Sequence, residues 1–182
     1  NYDELFPEIV VEDLGTQILT NPKFNFNNIS TNIGIKFNLG SNNILYFNYS
    51  LSSRNPNPSE LFSEGLHHSA ARIEIGDLRF GAETGNNFAL TYDINNDNYS
   101  FTANTFVNYI NNYIYIVPID LMPTIRGVFP VWEYKQDDAK LFGFDLKYDR
   151  QYFTNFFIGH QFSIIKGYER DNDKPLIYMP PV

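Results

Sequence analysis

The chain has 182 residues, is 17% aromatic with 13 Tyr and 17 Phe, carries only 19% charged residues and has a formal net charge of -8 at pH 7. That acidic balance excludes a surface of clustered Lys and Arg for phosphate backbones, so nucleic acid is not an expected partner. The lack of cysteine excludes disulfides, thiolate metal sites and cysteine nucleophiles, and no stretch reaches the roughly 18 consecutive apolar residues that a spanning helix needs.

A mean hydropathy of -0.32 beside so many aromatics means that apolar side chains are interleaved with polar ones, not gathered in blocks. The opening residues, Asn1-Tyr2-Asp3-Glu4, contain neither the basic nor the apolar part of an export signal, and residues 1–28 read as a long connection. Six segments then alternate with period two, the mark of a strand whose faces meet different surroundings. In chain order their apolar positions are Ile33, Ile35, Phe37 and Leu39; Leu45, Phe47, Tyr49 and Leu51; and Phe88, Leu90, Tyr92 and Ile94. They continue with Tyr99, Phe101, Ala103, Val107 and Tyr109; Phe142, Phe144, Leu146 and Tyr148; and Phe156, Ile158, Phe162 and Ile164. Residues 40–42, 95–98 and 149–151 read as tight turns, rich in Gly, Asn and Asp. Residues 52–87, 117–139 and the acidic run 166–174 read as long excursions. Pro56 and Pro58 open the first of these, and Pro118, Pro123 and Pro130 are expected to break strand pairing in the second.

Short turns at one edge and long loops at the other are the plan of an outer-membrane barrel. The fold expected is therefore all-β: an antiparallel transmembrane β-barrel segment with short turns on one side and long extracellular loops on the other, one partial barrel domain over residues 1–182. Lipid leaves no backbone group unpaired, so a spanning sheet must close and its faces must differ. Phe142, Phe144, Leu146 and Tyr148 would then face the membrane, while Asp145, Lys147 and Asp149 would line a wet lumen and ligand path. A soluble all-β barrel enclosing an apolar small ligand inverts the scheme and produces the same pattern. Loop sorting, aromatic content and strands near the ~9–11 residues of a tilted transmembrane strand favour the membrane.

Residues 29–166 carry a further resemblance. Ser53-Arg54-Asn55-Pro56, Glu60-Leu61-Phe62-Ser63-Glu64-Gly65, His67-His68-Ser69-Ala70 and Glu74-Ile75-Gly76-Asp77 resemble the barrel signature of the TonB-dependent outer-membrane receptors, most closely the zinc-uptake branch. Asn108-Tyr109-Ile110-Asn111-Asn112-Tyr113-Ile114-Tyr115 agrees, as does Glu133-Tyr134-Lys135-Gln136-Asp137-Asp138-Ala139 followed by Phe142-Gly143-Phe144-Asp145. The resemblance implies a receptor of the bacterial outer membrane that imports a scarce ligand, zinc or a metal chelate, driven by a TonB complex acting through a plug domain. A plugged barrel of about 22 strands of roughly 10 residues needs about 220 residues before any loop is counted. The chain is therefore expected to be an excerpt lacking the plug and the remaining strands, with outer-membrane lipid as its neighbour. The sequence departs from the family where Leu78-Arg79-Phe80-Gly81 follows Asp77 in place of a Pro-Glu turn.

Among candidate ligands, His67 and His68 stand out because neutral imidazole is the commonest zinc ligand, and Glu64, Glu74 and Asp77 are carboxylates nearby. The resemblance places His67 where the zinc branch carries a histidine at the barrel mouth. His160, on an apolar row, reads as an interfacial histidine; Trp132, Tyr134 and Phe129 read as exposed aromatics for a ligand or for lipid headgroups. No nucleophile elbow, phosphate loop or HExxH arrangement occurs, so enzymatic activity is not expected. An open sheet with an apolar face is expected to self-associate.

Overall fold

A computed structural model describes residues 9–13, 16–20, 23–171 and 173–177, with side chains described from residue 23 onward. Among these residues the chain forms β1 (Ile9–Asp13), β2 (Thr16–Thr20), β3 (Thr31–Asn38), β4 (Asn43–Arg54), helix α1 (Pro58–Phe62), β5 (Glu64–His67) and β6 (Arg72–Ile75). The long strands β7 (Glu83–Asn96), β8 (Tyr99–Thr124), β9 (Gly127–Phe153) and β10 (Phe156–Glu169) follow. β1 and β2 pair as a separate hairpin, so the connection expected over residues 1–28 contains strand where it is described; residues 1–8 lie outside the described set.

The main sheet is an antiparallel meander, β3-β4-β7-β8-β9, with β10 pairing along β9. The six alternating segments fall on these six strands. Register sets their rows side by side: Ile35, Phe47, Leu90, Thr105, Phe144 and Ile164 share one row across the sheet. Phe37, Leu45, Tyr92, Ala103, Leu146 and Phe162 form the next. A slip of one residue anywhere would turn a strand's apolar set to the other face, so this agreement over six strands fixes the register. The result is one continuous apolar face. Phe142 and Phe144 on it are 42% and 37% exposed, and they pack into no dry interior.

Three corrections concern the connections. The turn expected at residues 149–151 is strand, because β9 continues to Phe153 and the chain reverses at Thr154 and Asn155. Residues 117–139 are not a loop: β8 and β9 pair almost to the tip, from Val117 opposite Glu133 to Thr124 opposite Gly127. Pro118, Pro123 and Pro130 thus lie inside strands. Pro118 and Pro123 are tolerated because, among the described residues, β8 from Tyr113 onward has β9 on one side and no strand on the other; Pro130 on β9 falls just outside the β6 ladder, which begins at Val131. Finally, β10 runs to Glu169, which takes up the first part of the excursion expected at 166–174.

The short turns at residues 39–42, 97–98 and 154–155 lie at one end; hydrogen bonds from Asn95 N to Asn42 O and from Gln151 N to Asn98 O join neighbouring turns. At the other end lie the α1-β5-β6 excursion and the β8–β9 ribbon. A bulge between Ile110 and Tyr113 marks where the ribbon leaves the sheet. Asn112 holds a left-handed φ of 58° there, its N–H donating to Asp138 and its carbonyl accepting from Gln136. Hairpins alone are marginally stable, and this one is braced about midway along by β6, which adds parallel to β9 at Val131–Glu133. The most buried apolar residues gather at this end: Leu61, Phe80 and Ile114 form a cluster joined by Phe24, Phe62 and Tyr134.

Candidate functional site

Two parts of the molecule place polar side chains together: the face opposite the apolar rows, and the joint between the α1-β5-β6 excursion and the ribbon.

On the polar face, register aligns Lys36, Tyr46, Thr91, Asn104, Asp145 and Ser163 in a single row over six strands. Four of them are linked. Thr91 Oγ1 donates to Asn104 Oδ1 at 2.8 Å, Asn104 Nδ2 donates to Asp145 Oδ2 at 3.4 Å, and Ser163 Oγ donates to Asp145 Oδ1. The Lys36 ammonium lies 5.7 Å from the Tyr46 ring centre in the same row. Two residues along β9, Lys147 pairs with Asp149 at 3.1 Å. The expected lumen residues Asp145, Lys147 and Asp149 therefore share one face, Asp145 tied into it by hydrogen bonds and Lys147 and Asp149 paired with each other. Phe142, Phe144, Leu146 and Tyr148 share the other. Gly143 keeps the polar face open to an aromatic: a Cβ there would lie 2.5 Å from the Phe106 ring, which covers the glycine.

At the joint, Arg54 at the end of β4 bridges two carboxylates, with Nε donating to Glu83 at 2.7 Å and Nη1 to Glu60 at 3.0 Å. Glu60 is only 8% exposed and also accepts the Asn57 backbone N–H at 2.7 Å, closing the start of α1 behind Pro58. Glu83 takes the Ile114 N–H at 2.6 Å. A second carboxylate, Glu74, is 4% exposed and accepts from Arg72 Nε at 2.7 Å and from the Tyr134 hydroxyl at 3.3 Å, with His67 Nδ1 at 3.0 Å. The Arg72 guanidinium also lies 5.0 Å from the Trp132 ring centre. Gln136 clips the returning chain, donating to the Gly81 carbonyl at 2.8 Å and accepting its N–H at 3.0 Å.

These contacts set the charges. The hydrogen bond to Glu83 is the main reason the Arg54 guanidinium is held above its ordinary range, against the effect of burial, with Glu60 adding to it. Burial pushes Glu74 upward, but the hydrogen bonds from Arg72 and His67 outweigh it and leave its carboxyl below the ordinary range. The Arg79 guanidinium, bound to Asp77 at 2.6 Å, holds that carboxyl low as well. Burial, then the charge of Glu169, pushes the Tyr115 hydroxyl up to about 12, so both tyrosines that meet carboxylates here, Tyr115 and Tyr134, remain neutral donors.

The expected metal donors are placed as follows. His67 faces Glu74 and Ser69, Asp77 faces Arg79, and Glu64 and His68 are exposed. In the β5–β6 register Glu64 sits opposite Ile75 and His67 opposite Arg72, so strand alternation puts Glu64 and His67 on opposite faces of the hairpin. Among the described residues no group of three His, Asp or Glu side chains could hold a metal ion. His160 is exposed opposite Tyr148 on the apolar face. Trp132 and Tyr134 are engaged at the joint, and Phe129 pairs with Met122 near the ribbon tip. Arg54, Glu60, Glu83 and Gln136 are not legible as a unit in the sequence because nothing in their spacing announces contacts between residues up to 55 apart.

With this geometry in place, the family model described as "TonB dependent receptor-like, beta-barrel" matches residues 9–182. No curated protein matches the sequence. Among solved structures, one titled "Copper transporter OprC" superposes with a TM-score of 0.67 at 19% identity, covering 84% of this chain and 22% of its own. The siderophore receptor PirA from Pseudomonas aeruginosa superposes with a TM-score of 0.62 at 16% identity, covering 77% of this chain and 28% of its own. This chain thus spans about a quarter of the length of those relatives, and at such identity they show the fold alone. The match over nearly all of the sequence, on a two-faced antiparallel sheet with sorted connections, means that the chain belongs to the TonB-dependent receptor β-barrel family, whose members are outer-membrane proteins.

Proposed function

We propose that this chain forms part of the wall and outer mouth of an outer-membrane importer for a scarce metal ion or metal chelate, energised by TonB through a plug elsewhere in the parent protein. The observation that carries the reading is the sidedness of the sheet: apolar rows continuous over six strands on one face, a hydrogen-bonded polar row on the other. Phe142, Phe144, Leu146 and Tyr148 meet acyl chains, while Asp145, Lys147 and Asp149 line the ligand path. A receptor of this kind binds and translocates, and catalysis has no part in the proposal.

The ligand class is the least constrained element. One relative is titled a copper transporter and another a siderophore receptor, so the proposal is a metal or its chelate and is not restricted to zinc. Within it, His67 and His68 at the outer mouth are proposed donors, with Glu64 and Asp77 as nearby carboxylates and further ligands supplied from outside the described residues.

Because this stretch has no cysteine, single-cysteine variants made in a cysteine-free background of the full-length receptor report on each face. Phe144→Cys in vesicles is expected to react with a membrane-soluble thiol reagent and to resist a charged one, with Asp145→Cys showing the reverse preference. Equal labelling by the charged reagent would remove the membrane reading. Zinc, copper and ferric-siderophore uptake by the parent strain, with and without TonB, then separates the ligands. A zinc titration unchanged by His67→Ala and His68→Ala would remove the donor assignment.

A further inference from the structure

The apolar face has an upper limit that the sequence writes in cations. Along β9 its outward residues run Lys140, Phe142, Phe144, Leu146, Tyr148, Arg150, and along β10 they run Phe162, Ile164, Lys166, Tyr168, with Arg170 just past the strand's end. From Lys140 to Arg150 the strand advances about 33 Å at ~3.3 Å per residue, which a tilt near 45° reduces to about 23 Å, the height of a barrel's apolar band. Lys140 and Arg150 thus stand at the two rims, and the rim bearing Lys140 is at the long-connection end, which is the outer leaflet.

Lys166 interrupts the apolar row at that outer rim. Register puts it directly opposite Phe142 and one row below the Lys140–Tyr168 pair. Its neighbours in the register are aromatic: Phe142 and Tyr168 stack with centroids 6.0 Å apart, and the Lys140 ammonium lies 6.0 Å from the Tyr168 centre. Of the three cations here, Arg170 pairs with Asp138 and Lys140 with Asp173, and Lys166 has no ion pair among the described residues. Its stem lies half-buried on the row, and a lysine so placed extends its ammonium along apolar surface to the nearest polar layer. In a bilayer that layer is made of phosphate-bearing headgroups, the natural counter-charge for an unpaired ammonium.

We propose that Lys166, with Lys140 and the Phe142–Tyr168 stack beside it on the rim side, forms a subsite for the phosphate of an outer-leaflet lipid headgroup. The inference rests on the membrane reading above, since it requires the Phe142 face to meet lipid. Its function is to fix the vertical position of the β9–β10 edge, so that the joint carrying Arg54 and Glu74 stands clear of the bilayer.

The test uses the full-length receptor in neutral detergent doped with short-chain phosphatidylglycerol or the phosphate-free diacylglycerol of the same chain length, with retained lipid counted by native mass spectrometry. Phosphatidylglycerol is expected to be retained preferentially, Lys166→Gln to weaken that retention about fivefold, and Lys166→Arg to preserve it. Inorganic phosphate at the same concentration is expected not to displace it, because the acyl chains supply the rest of the binding. Unchanged retention in Lys166→Gln, equal retention of the two lipids, or displacement by phosphate alone would each overturn the proposal. The thiol-labelling of Phe144→Cys reports separately on sidedness, so a failure of the headgroup subsite is distinguishable from a failure of the membrane reading.

Discussion

Gly76 meets the backbone of Glu60 so closely that a Cβ on it would lie 2.8 Å from the Glu60 carbonyl oxygen and 2.8 Å from the Leu61 carbonyl carbon. The Gly76 N–H donates to the Ser63 carbonyl at 2.7 Å, and the next N–H, that of Asp77, donates to Glu60 at 2.9 Å. The end of β6 is therefore sealed to α1 by main chain against main chain, and neither partner is a flexible side chain that could yield.

Gly76→Ala is accordingly expected to separate α1 from β6 at a cost of about 1–3 kcal/mol, the range for overpacking a close contact. Trypsin reads this directly, because Arg72 and Arg79 flank the contact: cleavage at both is expected to accelerate in the variant. Wild-type cleavage rates would show that the excursion is not held by this contact.

The buried carboxylate of Glu74 gives the joint an acid limit. Its folded value lies below the ordinary 4.5, so the unfolded state takes up the proton first as pH falls. Its contribution is thus fully present above pH 4.5 and is lost as pH drops through the folded value. Hydrogen exchange of residues 64–75 is expected to stay flat from neutrality down to the ordinary carboxylate range and to rise below it. In Glu74→Gln that rise should disappear, with weaker protection at neutral pH because Arg72 loses its charged partner. A rise centred near neutrality would show that Glu74 is not the controlling group.

Phe144 lies near the middle of the band between Lys140 and Arg150. Phe144→Arg should destabilise folding of the parent into vesicles by about 2–4 kcal/mol, the cost of a cation on a lipid face near the midplane. Asp145→Arg, one residue away on the other face, should cost markedly less, since its side chain enters the polar row. Urea titrations in vesicles compare the two, and equal losses would contradict the assignment of faces.

The six alternating segments were legible because each strand meets two different surroundings, and period two is a local property of sequence. Phe142 to Tyr148 is the clearest case, and its partners on β8 and β10 follow once each strand's register is fixed. The ends of strands were less legible. Asp149, Arg150 and Gln151 have turn-forming character, yet they pair with Gly159, Ile158 and Phe157 because the neighbouring strand continues beside them. Prolines misled for the opposite reason: their incompatibility with a ladder holds only where a ladder exists on both sides. The joint was the least legible part. Its signature residues Arg54, Glu60, Glu74 and Gly76 were noticed through resemblance, and the structure gives them a mechanical reason that no local pattern carries, namely the docking of one excursion against another.

The prolines of the β8–β9 ribbon have a consequence outside the barrel. Tyr113 to Thr124 at ~3.3 Å per residue gives a blade about 36 Å long that, among the described residues, has β9 as its single strand neighbour. An uncovered rim of that length would ordinarily recruit any extended peptide it met, including the same blade on an adjacent receptor in a crowded membrane. Imino nitrogens at positions 118 and 123 delete amide donors from β8, so a recruited strand could not complete its pairing. The blade can therefore be long without offering a complete template to its counterpart on a neighbouring molecule.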